Sequence, residues 1–187
     1  MESVMAATTG EKLLRHWPAA LGVLVAVGTV LRLDHGSQGA SVVAASGLVY
    51  LAAAATTHPG AAWPAFGVTF VLVGLGLVWS GFDPVPWICV AALGLAVLGI
   101  VRAGLRPVWS LPLQSAAMLV LGAAAVLAVR AEHVTGGIVV SVALFGHAAW
   151  DWWHHRTERV VTRSLAEFCG VLDVLVGAGV LVVTLTM

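Results

Sequence analysis

Seven apolar runs take up most of this chain, at about 18–33, 39–57, 62–80, 85–102, 112–129, 134–153 and 165–186. A bilayer core of about 30 Å requires roughly 20 mostly apolar residues per helix, so each run has the length of a span. Backbone amides inside lipid must be satisfied within the segment, and a helix does this without a partner strand. The polar stretches between runs are short, such as Asp34 to Gln38, His58-Pro59-Gly60, Ser80 to Pro84 and Arg102 to Arg106. They leave no room for a soluble domain. The expected architecture is therefore an all-α integral membrane protein, a bundle of about seven transmembrane helices. Residues 1–187 form one polytopic domain, with 1–16 as a short cytoplasmic N-terminal segment.

Composition agrees with this reading and excludes other classes. Of the 187 residues, 60% are hydrophobic and 10% charged. A soluble domain carries about 25% charged residues, which excludes an ordinary cytosolic enzyme and a disordered chain. Nine basic and nine acidic side chains cancel, so no nucleic-acid surface is implied. The 21 glycines suit helices that approach closely in lipid.

Basic residues set the expected orientation, because cytoplasmic loops collect Lys and Arg. Lys12, Arg15, Arg102, Arg106, Arg156, Arg159 and Arg163 fall on one side, and Arg32 and Arg130 on the other. The N-terminus is thus expected in the cytoplasm and the protein in a bacterial plasma membrane, the cell inner membrane. Trp17, Trp63, Trp109, Trp150, Trp152 and Trp153 mark the cytoplasmic boundary, and Trp79 and Trp87 the outer one. Such rings prefer the headgroup level. Trp17, Trp63 and Trp109 also recur every 46 residues, consistent with three helical hairpins plus one helix. Two spans and two short loops give about that period without any duplication. Cys89 and Cys169 are placed near opposite ends of the bundle, too far apart for a disulfide.

Ionisable side chains at membrane depth concentrate in the last two spans. A carboxylate or imidazole there is costly and marks a functional site by default. His147, Asp151 and His154 or His155 lie on one helical stripe, at i, i+4 and i+7 or i+8. On the next span Cys169 and Asp173 stand at i and i+4, while Glu167 points elsewhere. An antiparallel hairpin turning near residue 160 brings His147 level with Asp173, Asp151 with Cys169, and His154 with Ala166 or Glu167. Histidine nitrogen and carboxylate oxygen converging in a dry cleft suit a divalent transition metal, zinc or iron. The expected ligands are His147, Asp151, His154, His155 and Asp173, with Glu167 as general base.

Blander explanations compete with this one. Asp151 and Glu167 can pair with Arg156, Arg159 or Arg163 and pin the hairpin, and His147 can be a satisfied core imidazole. His58, on the same side, reads as a loop residue. No P-loop, G-x-S-x-G or C-x-x-C-H motif is present.

Three functions remain open on the sequence. The first is a membrane-embedded metalloenzyme acting on a lipid or other hydrophobic substrate. The second is a proton-coupled or ion transporter using the same residues as a relay. The third is a non-catalytic subunit docking a partner through its cytoplasmic loops. Expected partners are membrane lipids and either a second copy or another membrane subunit, with no nucleic acid.

Overall fold

The computed structural model describes residues 16–102 and 104–186. Most of the N-terminal segment, with Lys12 and Arg15, lies outside the described residues. Among the described residues seven α-helices follow one another: α1 Trp17–Val30, α2 Ala40–Thr56, α3 Ala62–Val78, α4 Pro84–Arg102, α5 Leu111–Arg130, α6 His133–Thr157 and α7 Arg163–Thr186. Short 3-10 turns at Gly36–Gly39 and Pro59–Ala61 lead into α2 and α3. No strand occurs among the described residues. Among the described residues six helices are long and apolar enough to cross a membrane, two of them counted with their leading turns. The exception is α1, with 14 residues, a rise of about 21 Å.

Proline opens several of these helices. Pro18, Pro84 and Pro112 sit in the first turns of α1, α4 and α5, where the missing amide hydrogen has no helical acceptor to lose. At the far end of α6, Glu158 takes a left-handed conformation and stops the helix. Val160 is left-handed as well, at φ 68°, so the chain reverses within five residues. Val160 and Val161 plug the turn from inside, buried against the bundle.

The bundle is organised around α2. Its hydrophobic window is 94% buried, against 11% for α3, so α2 is the central pillar and α3 faces the surroundings. Neighbours α3, α4, α5 and α6 pack on α2. The close approach depends on small side chains. A Cβ on Gly47 of α2 would lie 2.8 Å from the Met118 sulfur of α5 and 3.2 Å from the Met118 Cα. The most extensive helix pair is α6 with α7, and α1 lies along the other side of α7. Gly137 lets the start of α6 meet the end of α7, where a Cβ would collide with Thr184.

The inward face of α6 is a regular stripe: Gly137, Val140, Ser141, Leu144, His147, Asp151 and His154. The matching stripe on α7 contains Leu165, Phe168, Cys169, Leu172, Asp173 and Val176. These steps of three and four residues keep one helical face against a neighbour. The polar side chains on these two stripes therefore point into the bundle. Trp17 and Trp63 stack with ring centroids 5.4 Å apart, and Arg159 lies 5.3 Å from the Trp109 ring. The starts of α1, α3 and α5 thus share one end with the α6–α7 turn. This end carries Arg102, Arg106, Arg156, Arg159 and Arg163 and is called the arginine-rich end below.

Candidate metal centre

Three side chains from two helices converge inside the bundle. His147 Nδ1 lies 2.7 Å from Asp173 Oδ2 and 3.3 Å from Asp151 Oδ2. All three residues are buried, and both aspartates have no exposure at all. One potential ligand atom from each lies within 4.8 Å of the others, so the group can hold a metal ion.

The α2 pillar supplies supporting donors. The Tyr50 hydroxyl donates to Asp151 Oδ1 at 2.6 Å, and the Ser46 hydroxyl sits 3.4 Å from both Asp173 oxygens. Ser46 is closer to its own helix, 3.0 Å from the Val42 carbonyl, so its grip on Asp173 is the looser of the two. Ser46 and Tyr50 stand at i and i+4 on α2, matching His147 and Asp151 on α6. Second partners of this kind orient metal-binding carboxylates and tune their basicity.

One atom of the group has no donor. Asp151 Oδ2 is buried and faces His147 Nδ1, but makes no hydrogen bond. The 3.3 Å approach is a charge contact without hydrogen-bond geometry. The reason is simple: Nδ1 carries at most one hydrogen, and Asp173 is aligned to accept it. Two buried carboxylates around one imidazole leave a negative charge that needs a second proton or a cation.

Other sequence-nominated residues go elsewhere. His154 is fully buried and on the same stripe, but lies a turn closer to the arginine-rich end. Its Nε2 is 3.3 Å from Gln114 Nε2 of α5, and its Nδ1 is 3.0 Å from the Trp150 carbonyl. Only the edge of the Tyr50 ring connects it to the centre, with centroids 4.8 Å apart. His155, about 100° further round the helix, leaves the stripe and stacks on Trp152 at 6.1 Å. Glu167 turns to α1, where its Oε1 lies 3.1 Å from His16 Nδ1. It faces away from Asp173 and takes no part in the group. His58 is exposed in its loop.

The arginine alternative does not describe Asp151, whose contacts are His147 and Tyr50. The carboxylate–arginine bridge among the described residues joins Glu158 to Arg163 on the surface. Both cysteines are free thiols.

Ser46, Tyr50 and Gln114 were not legible as site residues from the last two spans alone. The available signal was modest. Tyr50 is the sole tyrosine of the chain, and Gln114 is an amide just inside a span. Both are polar groups that lipid would penalise, so each required an interior partner.

A groove of about 670 Å³ runs between α5 and α6 and reaches the centre from the side. Its walls are apolar, including Ala117, Val120, Val142 and Ala143, and His147 and Trp150 lie at its inner edge. No protein-family model, curated protein or solved structure matches this chain, so the chemistry of the centre rests on its own geometry.

Proposed function

We propose that the protein is a membrane-embedded metalloprotein whose His147, Asp151 and Asp173 hold one divalent transition-metal ion, zinc or iron, for a reaction on a hydrophobic substrate. The observation that carries this reading is Asp151 Oδ2, a buried carboxylate oxygen with no donor, held 3.3 Å from an imidazole nitrogen. A divalent ion balances both carboxylates at once and supplies the missing partner. Three protein ligands leave a coordination position open, as catalytic zinc sites do. Bound there, the metal supplies Lewis acidity toward a carbonyl or phosphoryl oxygen and acidifies a coordinated water.

The chain's own groups have separable roles in this account. His147 and the two aspartates bind, Tyr50 fixes the Asp151 carboxylate, and Ser46 steadies Asp173. The apolar groove between α5 and α6 admits a substrate from the lipid side to His147 and keeps bulk water away. Gln114 holds His154 out of the ligand group.

A second reading, a proton relay for transport, draws support from Tyr50. Its ring touches both His147 and His154, at 5.3 and 4.8 Å, extending a polar path toward the arginine-rich end. The path stops on the other side. Thr29, Ser141 and Thr184 each donate to a carbonyl of their own helix, at 2.9, 3.0 and 2.7 Å, rather than continuing a relay. A one-ended polar path favours a site reached from one side over a conduit.

Cobalt substitution tests the reading. Chelated and repurified protein titrated with cobalt(II) should develop visible ligand-field absorption saturating at one ion per chain. Asp173→Asn should abolish that signal while preserving the helical circular dichroism. A parent protein that stays colourless with excess cobalt would remove the metal from the account and leave the relay.

A further inference from the structure

A second groove lies on the opposite side of α6 from the one that reaches His147. It runs between α1, α6 and α7, has a volume of about 820 Å³, and is distinct from the metal centre. This is the size of a small-molecule site, which spans about 300–1,000 Å³. Its floor is made by small residues: Ala148 and Ala149 on α6, and Gly170 on α7. A Cβ on Gly170 would rest 3.4 Å from Asp151 Cβ, so the floor is one residue thick.

The polarity of this groove is segregated along its length. Away from the arginine-rich end it is lined by apolar groups such as Val23, Phe145 and Leu175. At the arginine-rich end it is bordered by His16, His155 and Glu167. Beside them Arg156 covers the Trp152 ring at 4.7 Å, and Trp152 is itself part of the groove wall. A hydrocarbon slot ending in both a carboxylate and cationic groups matches an amphiphile of fixed orientation. Its chain lies on the alanine floor and its head sits among these side chains. Glu167 offers an acceptor for an ammonium group, and Arg156 with His155 offers donors for a phosphate.

We propose that this groove binds one zwitterionic phospholipid with a primary-amine headgroup, the acyl chain against Ala148, Ala149 and Gly170 and the head between Glu167 and Arg156. The amine replaces His16 as the partner of Glu167 or shares its carboxylate, since His16 is itself a mostly exposed side chain. This site does not depend on metal at His147, Asp151 and Asp173.

Native mass spectrometry of the detergent-purified protein, offered equal amounts of phosphatidylethanolamine, phosphatidylglycerol and phosphatidylcholine, tests it. One phosphatidylethanolamine per chain should be retained. The preference over the other two should be about tenfold, the worth of one charge-assisted hydrogen bond. Ala149→Phe, at an exposed groove position, should remove the retained lipid while the helical circular dichroism stays at the parent's level. Glu167→Gln should keep one lipid but lose the preference for the primary amine. Equal retention of all three lipids by the parent, or undiminished retention by Ala149→Phe, would overturn the proposal. Preference for phosphatidylglycerol would overturn it equally, because the cationic groups alone, and not the Glu167 carboxylate, would then select the head.

Discussion

His147 on α6 and Asp173 on α7 meet at 2.7 Å although 26 residues separate them in sequence. The contact is buried within the bundle, and it lies in the most extensive helix pair of the fold. Asp151, one turn from His147 on the same helix, approaches the same nitrogen from the other carboxylate. Two acids thus share one imidazole, and the balance of charge around that nitrogen governs what the centre can hold.

Tyr50→Phe should weaken this centre without dismantling it. The substitution removes the 2.6 Å donor to Asp151 Oδ1 and leaves a carboxylate with neither oxygen hydrogen-bonded. The stability cost should be about 1–3 kcal/mol, and metal affinity should fall by roughly 10–100-fold. Thermal unfolding in detergent and competition with a chromophoric chelator measure the two effects. Unchanged affinity would mean that Tyr50 does not orient the ligand.

The hairpin register was legible because two antiparallel helices joined by a short turn place residues of constant index sum at equal depth. That argument set His147 opposite Asp173, and the helical spacing along α7 left Glu167 off the Asp173 face. His154 and His155 lie outside the group of three for different reasons. His154 keeps the right helical face but is captured by Gln114 on α5, a neighbour that a two-helix argument does not contain. His155 differs from it by a single residue, and this turns its ring onto Trp152. Tyr50 and Ser46 were missed because they come from α2, whose central place depends on packing among all the helices. An alanine-rich span reads the same in sequence whether it faces lipid or the core.

Packing around α2 gives a sharper test of the fold. Gly47→Ala places a Cβ 2.8 Å from the Met118 sulfur and 3.2 Å from its Cα, so the Met118 side chain must shift and the α5 backbone must give slightly. Overpacking of this kind costs about 1–3 kcal/mol. Gly28→Ala on the exposed face of α1 meets nothing within 4 Å. It should be neutral or stabilising by up to about 1 kcal/mol, from helix propensity. Melting temperatures of the two variants should move in opposite directions or by clearly different amounts.

At the end opposite the arginine-rich one, His35 and His133 meet with tilted rings, their centroids 4.5 Å apart. His35 is held below its ordinary 6.5 by burial and then by repulsion from His133, partly offset by attraction to Asp34. The unfolded chain therefore binds more protons at this residue as pH falls below 6.5. Its contribution to stability is full above that value and is lost as the pH drops toward the depressed one. The melting temperature of the parent should fall between about pH 7.5 and pH 5.5, within the range where imidazoles titrate. His133→Asn removes the repulsion, so its fall over that interval should be smaller. Identical losses in parent and variant would exclude the pair as the cause.

Metal content measured directly is the closest test of the central claim. Protein purified from cells grown with supplemented zinc and iron should carry one equivalent of a single transition metal per chain by elemental mass spectrometry. His147→Ala and Asp151→Ala should each reduce it to background while the helical content stays at the parent's level. Parent protein with no stoichiometric metal under those conditions, or both variants retaining a full equivalent, would contradict the account.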